Sequence, residues 1–406
     1  MKHLAIIGMV LPEPNSTAAG KRMMQLIDYF KDKNYKISFL CAAQNVEYSE
    51  DLTSHDIQVF SIMLNHSSFE ETIKSLQPDV VLYDRFVTEE QYGWKMDGIC
   101  PNAIKILDTE DLHFLRHARE KAYKKGEDVR KTPEITGVFK REMASILRCD
   151  LSLIISEFEY QLLQNHYSIA EEQLCYLPLF ATKNPLDISF AERKNFVSIG
   201  NFLHEPNWQT VLKLKKLWPE IRKRIPNSQL HIYGAYVTEK AQQLHQPKQG
   251  FYIMGRAQSV DEVFMKSKVL LAPIPYGAGI KGKLLDAMRC GLPSVTSPMG
   301  AEAMHGKLPW NGFVCETDND FIDKSVLLYT DNHEWQKAKN NGYTLVEKRY
   351  NKAQFYPILS QKILAIEQDI SSFRNRNFLG QLLRHHTLQS SKYLGKWIEE
   401  KNKNRE

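Results

Sequence analysis

Short apolar runs alternate with longer amphipathic segments along the first half of the chain. Apolar runs bounded by turn residues are typical of buried strands, and apolar residues at every third or fourth position are typical of helices that pack on a core. Strands that alternate with helices predict a parallel sheet in an α/β protein. The charged segment 121–133, which includes Gly126, predicts a loop. The predicted strands are 2–8, 36–41, 56–60, 79–83, 103–107, 151–155 and 175–177.

A second alternation follows a stretch without clear periodicity. Its predicted strands are 196–200, 229–234, 251–254, 269–272 and 294–296. The length of 406 residues suits two domains of roughly 150–200 residues each. We therefore predict an N-terminal domain, a linker, a C-terminal domain, a long helix and a helical tail, at 1–180, 181–194, 195–352, 353–370 and 371–406.

Composition narrows the class of protein. A hydrophobic content of 43% and a charged content of 25% are ordinary for a soluble globular protein. No run reaches the ~18 apolar residues that span a bilayer, and the first strand runs into Pro12 and Pro14 without a signal-peptide cleavage region. The six cysteines show no CxxC pairing, which argues against a zinc site or a disulfide framework and predicts a cytoplasmic protein.

The net charge of +5 is concentrated in the tail. Residues 371–406 contain eight Lys or Arg and three Glu, so the remainder of the chain is close to neutral and does not predict nucleic-acid binding. Leucines, Tyr393 and Trp397 alternate there with basic residues, as in a helix that lies on an anionic membrane. Such a helix is equally compatible with packing on the first domain or on a second subunit.

The stretch 272–302 has the pattern strand, glycine-rich loop, helix, strand. Glycines let a ligand approach the backbone, and a helix N-terminus offers free N–H groups to an anion. Lys281 and Lys283 stand at this helix start, where a cation is unfavourable without an anion beside it. The pattern therefore predicts a phosphate site, although solvated lysines at an exposed helix start are the alternative. Asp286, one turn later, is placed to accept hydrogen bonds from sugar hydroxyls.

Several motifs, taken in order, resemble the family-4-type retaining glycosyltransferases of GT-B fold over most of residues 1–370. The segment around Lys281 is the most specific of them. The motifs are Pro12 with Ala18-Ala19-Gly20, Ile154-Ile155-Ser156-Glu157, Ser198-Ile199-Gly200 with Pro206-Asn207, His231-Ile232-Tyr233-Gly234, Gly277-Ala278-Gly279-Ile280-Lys281, Lys283-Leu284-Leu285-Asp286-Ala287-Met288 and Gly291-Leu292-Pro293.

The resemblance implies two Rossmann-like domains that face a cleft and a late helix that crosses back to the first domain. The second domain would hold a nucleotide-diphosphate sugar and the first domain its acceptor, without a metal or a cofactor. Asp286 matches the acid that binds the donor ribose, and Gly20 matches the first-domain glycine that closes over the phosphates. The remaining donor-binding residues implied or predicted are Gly200, Asn207, Gly255, Gly277, Gly279, Ile280 and Glu302. Gly20 is equally compatible with a close helix contact.

The chain also departs from the family pattern. Ala278 stands where many members carry a second acid, eight positions before Asp286. Asn201 and Asn207 stand near the positions where many members carry Arg and Lys. We expect Lys281 and Lys283 to support the departing diphosphate instead, because fixed cations stabilise the charge that develops on it.

Polar residues follow the strand ends of the first domain. The carboxylates of Asp108, Glu110 and Asp111 are predicted to orient an acceptor hydroxyl, Asp108 foremost, although acids are also common where a helix starts. Asp84 and Arg85 fit either an ion pair or acceptor binding. Among the histidines, His204 is the best site candidate, and His113 and His231 are more typical of structural positions.

We therefore expect a hexosyltransferase that moves a sugar, with retention, to a glycan or lipid-linked acceptor in polysaccharide or glycoconjugate assembly. The chain would be cytoplasmic, with peripheral membrane contact through the tail as an open alternative. A nucleotide-sugar 2-epimerase of similar fold is one rival, although it would require more acids and histidines around the sugar. A non-catalytic nucleotide-sugar-binding scaffold is the other, favoured by Ala278.

Overall fold

The computed structural model describes residues 1–43, 47–131, 134–184, 186 and 188–403, with only the backbone at 386–389, 391 and 403. Parts of three predicted segments lie outside the described residues: 132–133 of the loop, 185 and 187 of the linker, and 404–406 of the tail.

The first sheet consists of parallel strands rich in Ile, Leu and Val, and all of them except the exposed edge strand Gln58–Ser61 are largely buried on both faces, as the apolar runs predict. They are β1 His3–Gly8, β2 Lys36–Cys41, β3 Gln58–Ser61, β4 Val80–Asp84, β5 Ile104–Asp108, β6 Leu151–Ile154 and β7 Leu174–Tyr176. Their order is β3-β2-β1-β4-β5-β6-β7. The order reverses between β1 and β4, and in such sheets the crevice at the reversal binds ligands.

The helices of this domain cover the sheet. They are α1 Ala18–Asp32, α2 Ser68–Leu76, α3 Arg85–Ile99, α4 His113–Lys125, α5 Gly137–Arg148 and α6 Glu157–Gln161. Thr17 caps α1, because its hydroxyl accepts the Gly20 N–H at 2.9 Å. The predicted loop at 121–133 is wrong over its first residues, because α4 continues to Lys125 and ends at Gly126, whose φ of 71° is a conformation that glycine adopts without strain.

The second sheet is also built from parallel strands. Its strands are β8 Lys194–Ile199, β9 Leu230–Tyr233, β10 Phe251–Gly255, β11 Ser267–Ala272, β12 Ser294–Thr296 and β13 Gly312–Val314. Their order is β10-β9-β8-β11-β12-β13, so the reversal falls between β8 and β11. The sequence pattern missed β13, a three-residue edge strand that is only partly buried. The helices are α7 Glu205–Arg224, α8 Glu239–Gln242, α9 Val260–Lys266, α10 Gly282–Arg289, α11 Pro298–Ala301, α12 Asp318–Thr330 and α13 Asn332–Arg349.

Helix α14 (Lys352–Gln368) returns to the first domain, as the predicted crossover helix does. Its Leu359, Ile363 and Ile366 are buried in the core that also contains Leu4 and Phe30. Two more helices follow, α15 Ile370–Arg376 and α16 Phe378–Lys403. Within the described part of the chain, no helix is both long enough and apolar enough to cross a membrane.

Candidate functional site

A cavity of 540 Å³ lies between the two sheets, lined by residues that follow strand ends of both. Loops after parallel strands meet at one edge of each sheet, so the two edges face each other across this space. Eight of the residues predicted from sequence line it: Gly200, Asn207, Gly277, Gly279, Ile280, Lys281, Lys283 and Asp286. The other four, Gly20, Asp108, Gly255 and Glu302, are not among its lining residues.

The glycine-rich loop between β11 and α10, residues 273–281, forms one wall of the cavity. We call it the donor loop. Gly279 has a φ of 62°, and a Cβ there would lie 3.0 Å from the Cβ of Asp111 in the first domain. Helix α10 begins directly after the loop, and the side chain of Lys281 does not cap it. The first N–H groups of α10 are therefore available to an anion in the cavity.

Lys281 turns its ammonium back onto the donor loop. Its Nζ donates to the carbonyl oxygens of Ala278 at 3.2 Å and Gly279 at 3.0 Å, and the residue is only 9% exposed. Burial lowers the pKa of Lys281, whereas the nearby carboxylates of Glu302 and Glu159 oppose that shift. An anion in the cavity would restore the favourable environment that burial removes.

Lys283 reaches the end of β8. Its Nζ donates to Asn207 Oδ1 at 2.7 Å, and burial lowers the pKa of Lys283 to about 7. The absence of a side chain at Gly200 makes this approach possible, since a Cβ there would lie 2.8 Å from that Nζ. A partly buried lysine whose observed partner is a neutral amide gains from an anionic ligand.

Asp286 joins the two domains. Its Oδ2 accepts a hydrogen bond from Lys21 Nζ at 2.6 Å, across the cavity, and its Oδ1 accepts one from Arg289 Nε at 3.0 Å. The carboxylate predicted to hold the ribose is thus already paired with two cations. Ribose hydroxyls at this carboxylate would share or replace the contact with Lys21.

Two first-domain side chains that the sequence analysis did not single out hold the donor loop. Arg119 Nη1 donates to the Gly277 carbonyl at 2.7 Å, and its guanidinium forms a bidentate pair with Glu302 at 2.6 and 2.7 Å. Glu159 accepts the Gly279 N–H at 2.7 Å, and burial raises the pKa of Glu159 to about 7. Neither Arg119 nor Glu159 belongs to a sequence motif, so no local signal could have identified them.

Glu302 and Asp108 therefore differ from their predicted positions. Glu302 lies behind the donor loop and anchors Arg119. Asp108 is fully buried, is paired with Arg22 at 3.1 Å and is not among the residues that line the cavity. A strand-end carboxylate was expected to face the cleft, but the buried arginine of α1 draws this one into the interior.

Gly20 serves a packing contact and Gly255 a backbone conformation. A Cβ at Gly20 would lie 2.3 Å from the backbone carbon of Glu13, so this glycine allows α1 to contact the preceding loop. Gly255 ends β10 with a φ of 76°, and its carbonyl accepts the Gly234 N–H at 2.9 Å. The residues that follow it, Arg256 and Ala257, do line the cavity.

Charged residues of the first domain form the opposite wall, which we call the acceptor wall: Arg85, Glu110, Asp111, His113 and Arg116. Arg85 and Glu110 follow neighbouring strands and both have left-handed backbones, with φ of 69° and 61°. Such conformations cost about 1–3 kcal/mol and often mark functional sites. Burial, reinforced by Asp108, raises the pKa of Glu110 to about 8, and its Oε1 is buried without a hydrogen-bond partner among the described residues.

The histidines divide as follows. His113 and His204 line the cavity, and burial lowers the pKa of His113 to about 4, so His113 is neutral at pH 7. His231 lies on β9, outside the cavity lining, with its Nε2 at 2.9 Å from Gln229 Oε1. Asp84 also lies outside the lining, and its Oδ2 accepts the Met9 N–H at 3.0 Å.

Residues 193–331, which contain the second sheet, match the family model described as glycosyl transferases group 1. No curated protein matches the chain.

Solved structures share the architecture of the whole chain at low sequence identity. A mutant of S. aureus TarM, in complex with fondaparinux, α-GlcNAc-glycerol and UDP, is 11% identical with a TM-score of 0.68, over 90% of this chain and 99% of that one. Pneumococcal O-GlcNAc transferase GtfA, with UDP and GlcNAc, is 11% identical with a TM-score of 0.69, over 91% and 99%. Anabaena HepE, with UDP and glucose, is 14% identical with a TM-score of 0.63, over 89% and 98%. The predicted GT-B fold is thereby confirmed.

Proposed function

We propose that this chain is a glycosyltransferase that moves a hexose from a nucleotide-diphosphate sugar to a glycan or lipid-linked acceptor. The observation that carries the proposal is the arrangement of Lys281, Lys283 and the start of α10 around one cavity. One buried and one partly buried lysine, both bonded to neutral oxygen atoms, form a site for a diphosphate together with free helix N–H groups. Asp286 supplies the carboxylate for the ribose, and the acceptor wall stands opposite.

The proposed reaction breaks the bond between the anomeric carbon and a phosphate oxygen. The bonding electrons leave with the diphosphate, and the acceptor oxygen forms the new bond to the anomeric carbon. The acceptor proton passes to the departing phosphate, which allows retention without a strong protein base. Lys281, Lys283 and the α10 N–H groups would stabilise the charge on the leaving diphosphate, and this stabilisation is greatest in the transition state.

Further parts of the proposal rest on the sequence motifs and on the similar structures. The family-4 subgroup and retention rest on the motif around Lys281, and use in polysaccharide or glycoconjugate assembly rests on the same resemblance. UDP in the three similar structures supports a uridine donor as the first to test. We propose catalysis without a metal or a cofactor, because lysines and helix N–H groups provide the positive charge. Six buried free cysteines support a cytoplasmic location.

The experiment is to incubate the chain with a panel of nucleotide sugars, with and without glycan and lipid-linked acceptors, and to measure nucleoside diphosphate release. Acceptor-dependent release, unchanged by EDTA, is expected. Lys281→Met and Lys283→Met should each reduce the rate of nucleotide release at least tenfold. Lys266→Met, which changes an exposed lysine of the same domain, serves as the control. If no nucleotide sugar binds, or if EDTA abolishes release, the corresponding part of the proposal is wrong.

A second candidate function is a nucleotide-sugar 2-epimerase. The structure brings Glu110, Asp111 and His113 to the cavity, and epimerisation requires titratable groups near the sugar. The same panel distinguishes the two functions, because an epimerase converts its nucleotide sugar without any acceptor. Donor binding with no turnover at all would favour the scaffold, for which Ala278 in the donor loop remains the supporting feature.

A further inference from the structure

Helix α16 is anchored on the first domain by one face. Arg374, just before it, and Arg384, within it, both donate to the buried carboxylate of Asp150, at 2.8 and 3.1 Å. Two glycines allow close packing: a Cβ at Gly380 would lie 2.3 Å from the Leu147 carbonyl oxygen, and one at Gly395 would lie 2.9 Å from the Trp94 ring. The helix is therefore held in place with a defined face turned outward.

That outward face carries large apolar side chains, which we call the tail surface. Their exposed fractions range from 42% to 66%. They fall into two groups near the ends of a segment roughly 28 Å long, at 1.5 Å per helical residue. The members are Phe378, Leu379, Leu382, Tyr393, Leu394 and Trp397.

A neighbouring loop adds to this apolar area. Lys95 Nζ donates both to the His66 carbonyl at 3.2 Å and to Glu399 Oε1 at 2.6 Å, which brings the loop before α2 to the end of α16. The same loop presents Met63 and Leu64, which are 54% and 53% exposed. Exposed apolar patches of this kind mark protein or membrane contacts.

The charge along the tail surface is basic up to its last turn, where Glu399 pairs with Lys95. Between residues 370 and 398 the sequence contains no Asp or Glu. Arg374 and Arg384 are neutralised by Asp150, whereas Arg376, Lys392 and Lys396 have no carboxylate partner among the described residues. A second copy of the chain docked on this face would bring like charges together. An anionic bilayer would accept the apolar side chains and pair with the lysines.

We propose that the tail surface docks this protein on an anionic membrane, with Trp397 and Tyr393 inserted at the headgroup level. The docking does not depend on the proposed transferase activity, since it uses none of the cavity residues. It would hold the acceptor-binding domain at the bilayer, where a lipid-linked acceptor would reside.

The test is sedimentation of the full chain with vesicles of phosphatidylcholine alone or mixed with phosphatidylglycerol. Binding to the anionic vesicles only, weakened by high salt, is expected. Lys392→Gln with Lys396→Gln should weaken partitioning about 30-fold, which corresponds to about 1 kcal/mol per basic residue near the surface. Lys216→Gln with Lys266→Gln, two exposed lysines of the second domain, should leave it unchanged.

Trp397 provides a second readout that needs no truncation. Its fluorescence should shift to the blue on anionic vesicles, and Trp397→Phe should remove the shift. Trp397→Ser should weaken binding roughly tenfold, whereas Ile135→Ser, at another exposed apolar position, should not. Equal binding to neutral vesicles, no binding to either kind, or a dimer in solution that Trp397→Ser dissociates would each overturn the proposal.

Discussion

Donor binding should be coupled to protonation of Lys283. In the unliganded molecule burial lowers the pKa of this lysine to about 7, so above that pH the amine is mostly neutral. A diphosphate beside its Nζ favours the charged form and raises the pKa again. The bound state therefore holds more protons than the free state, and donor affinity must fall as the pH rises above 7.

The magnitude follows from that shift. If the bound-state pKa returns to about 10 or above, affinity should fall about 25-fold between pH 6.5 and 8.5, which is about 1.9 kcal/mol. The ligand should be an intact nucleotide sugar, because its diphosphate diester does not titrate in this range. Calorimetry in buffers of different ionisation enthalpy should detect proton uptake at pH 8.

The matched variants make the assignment specific. Glu159 and Glu110 also titrate near this range, since burial raises the pKa of each, to about 7 and about 8. Lys283→Met should weaken binding at pH 6.5 and remove most of the pH dependence, whereas Lys266→Met should retain both. A pH dependence that persists in Lys283→Met, or binding without proton uptake at pH 8, would refute this role for Lys283.

Three further predictions follow. Arg119→Met should raise the KM for the donor at least tenfold, because the Gly277 carbonyl and Glu302 lose a buried partner, at an expected cost of about 2–4 kcal/mol. Glu157→Gln is the control, since it breaks a different cross-domain pair, with Arg349. A similar rise in KM in that variant would contradict the specific role of Arg119. Asp108→Asn should lower Tm by several degrees, with the donor KM unchanged in the folded fraction, as thermal denaturation and kinetics together would show. Gly20→Ala should likewise lower Tm, because the added Cβ meets the Glu13 backbone. A variant with unchanged Tm but lost donor binding would instead favour the role of Gly20 in closing over the donor phosphates.

The contacts across the cavity link the donor site to the relative position of the two domains. Lys21 binds Asp286, Arg119 binds the Gly277 carbonyl, and Glu159 binds the Gly279 N–H. All three involve one group from each domain. Separation of the domains would break these three contacts, so we expect the proposed diphosphate site to be complete only when the domains are together.

The fold was largely predictable from the sequence. Long apolar runs such as 79–83 can be satisfied only by burial on both faces, and their alternation with amphipathic helices leaves few arrangements other than parallel sheets. The donor loop was predictable for a related reason, because glycines, lysines and a helix start are adjacent in the chain and their chemistry is local. Helix ends were harder to predict. The loop was predicted to begin at residue 121, but α4 continues to Lys125 and ends only at Gly126.

Only the tertiary structure decided which side chains face the cavity. Asp108 and Glu110 lie two residues apart after the same strand, yet Arg22 from α1 draws Asp108 into the interior while Glu110, in a left-handed conformation, lines the cavity. Arg119 and Glu159 contact the donor loop although each lies more than a hundred positions from it in the sequence. A periodic pattern specifies the buried face of each element, but long-range ion pairs form only after the elements have packed, and a single sequence carries no local signal for them.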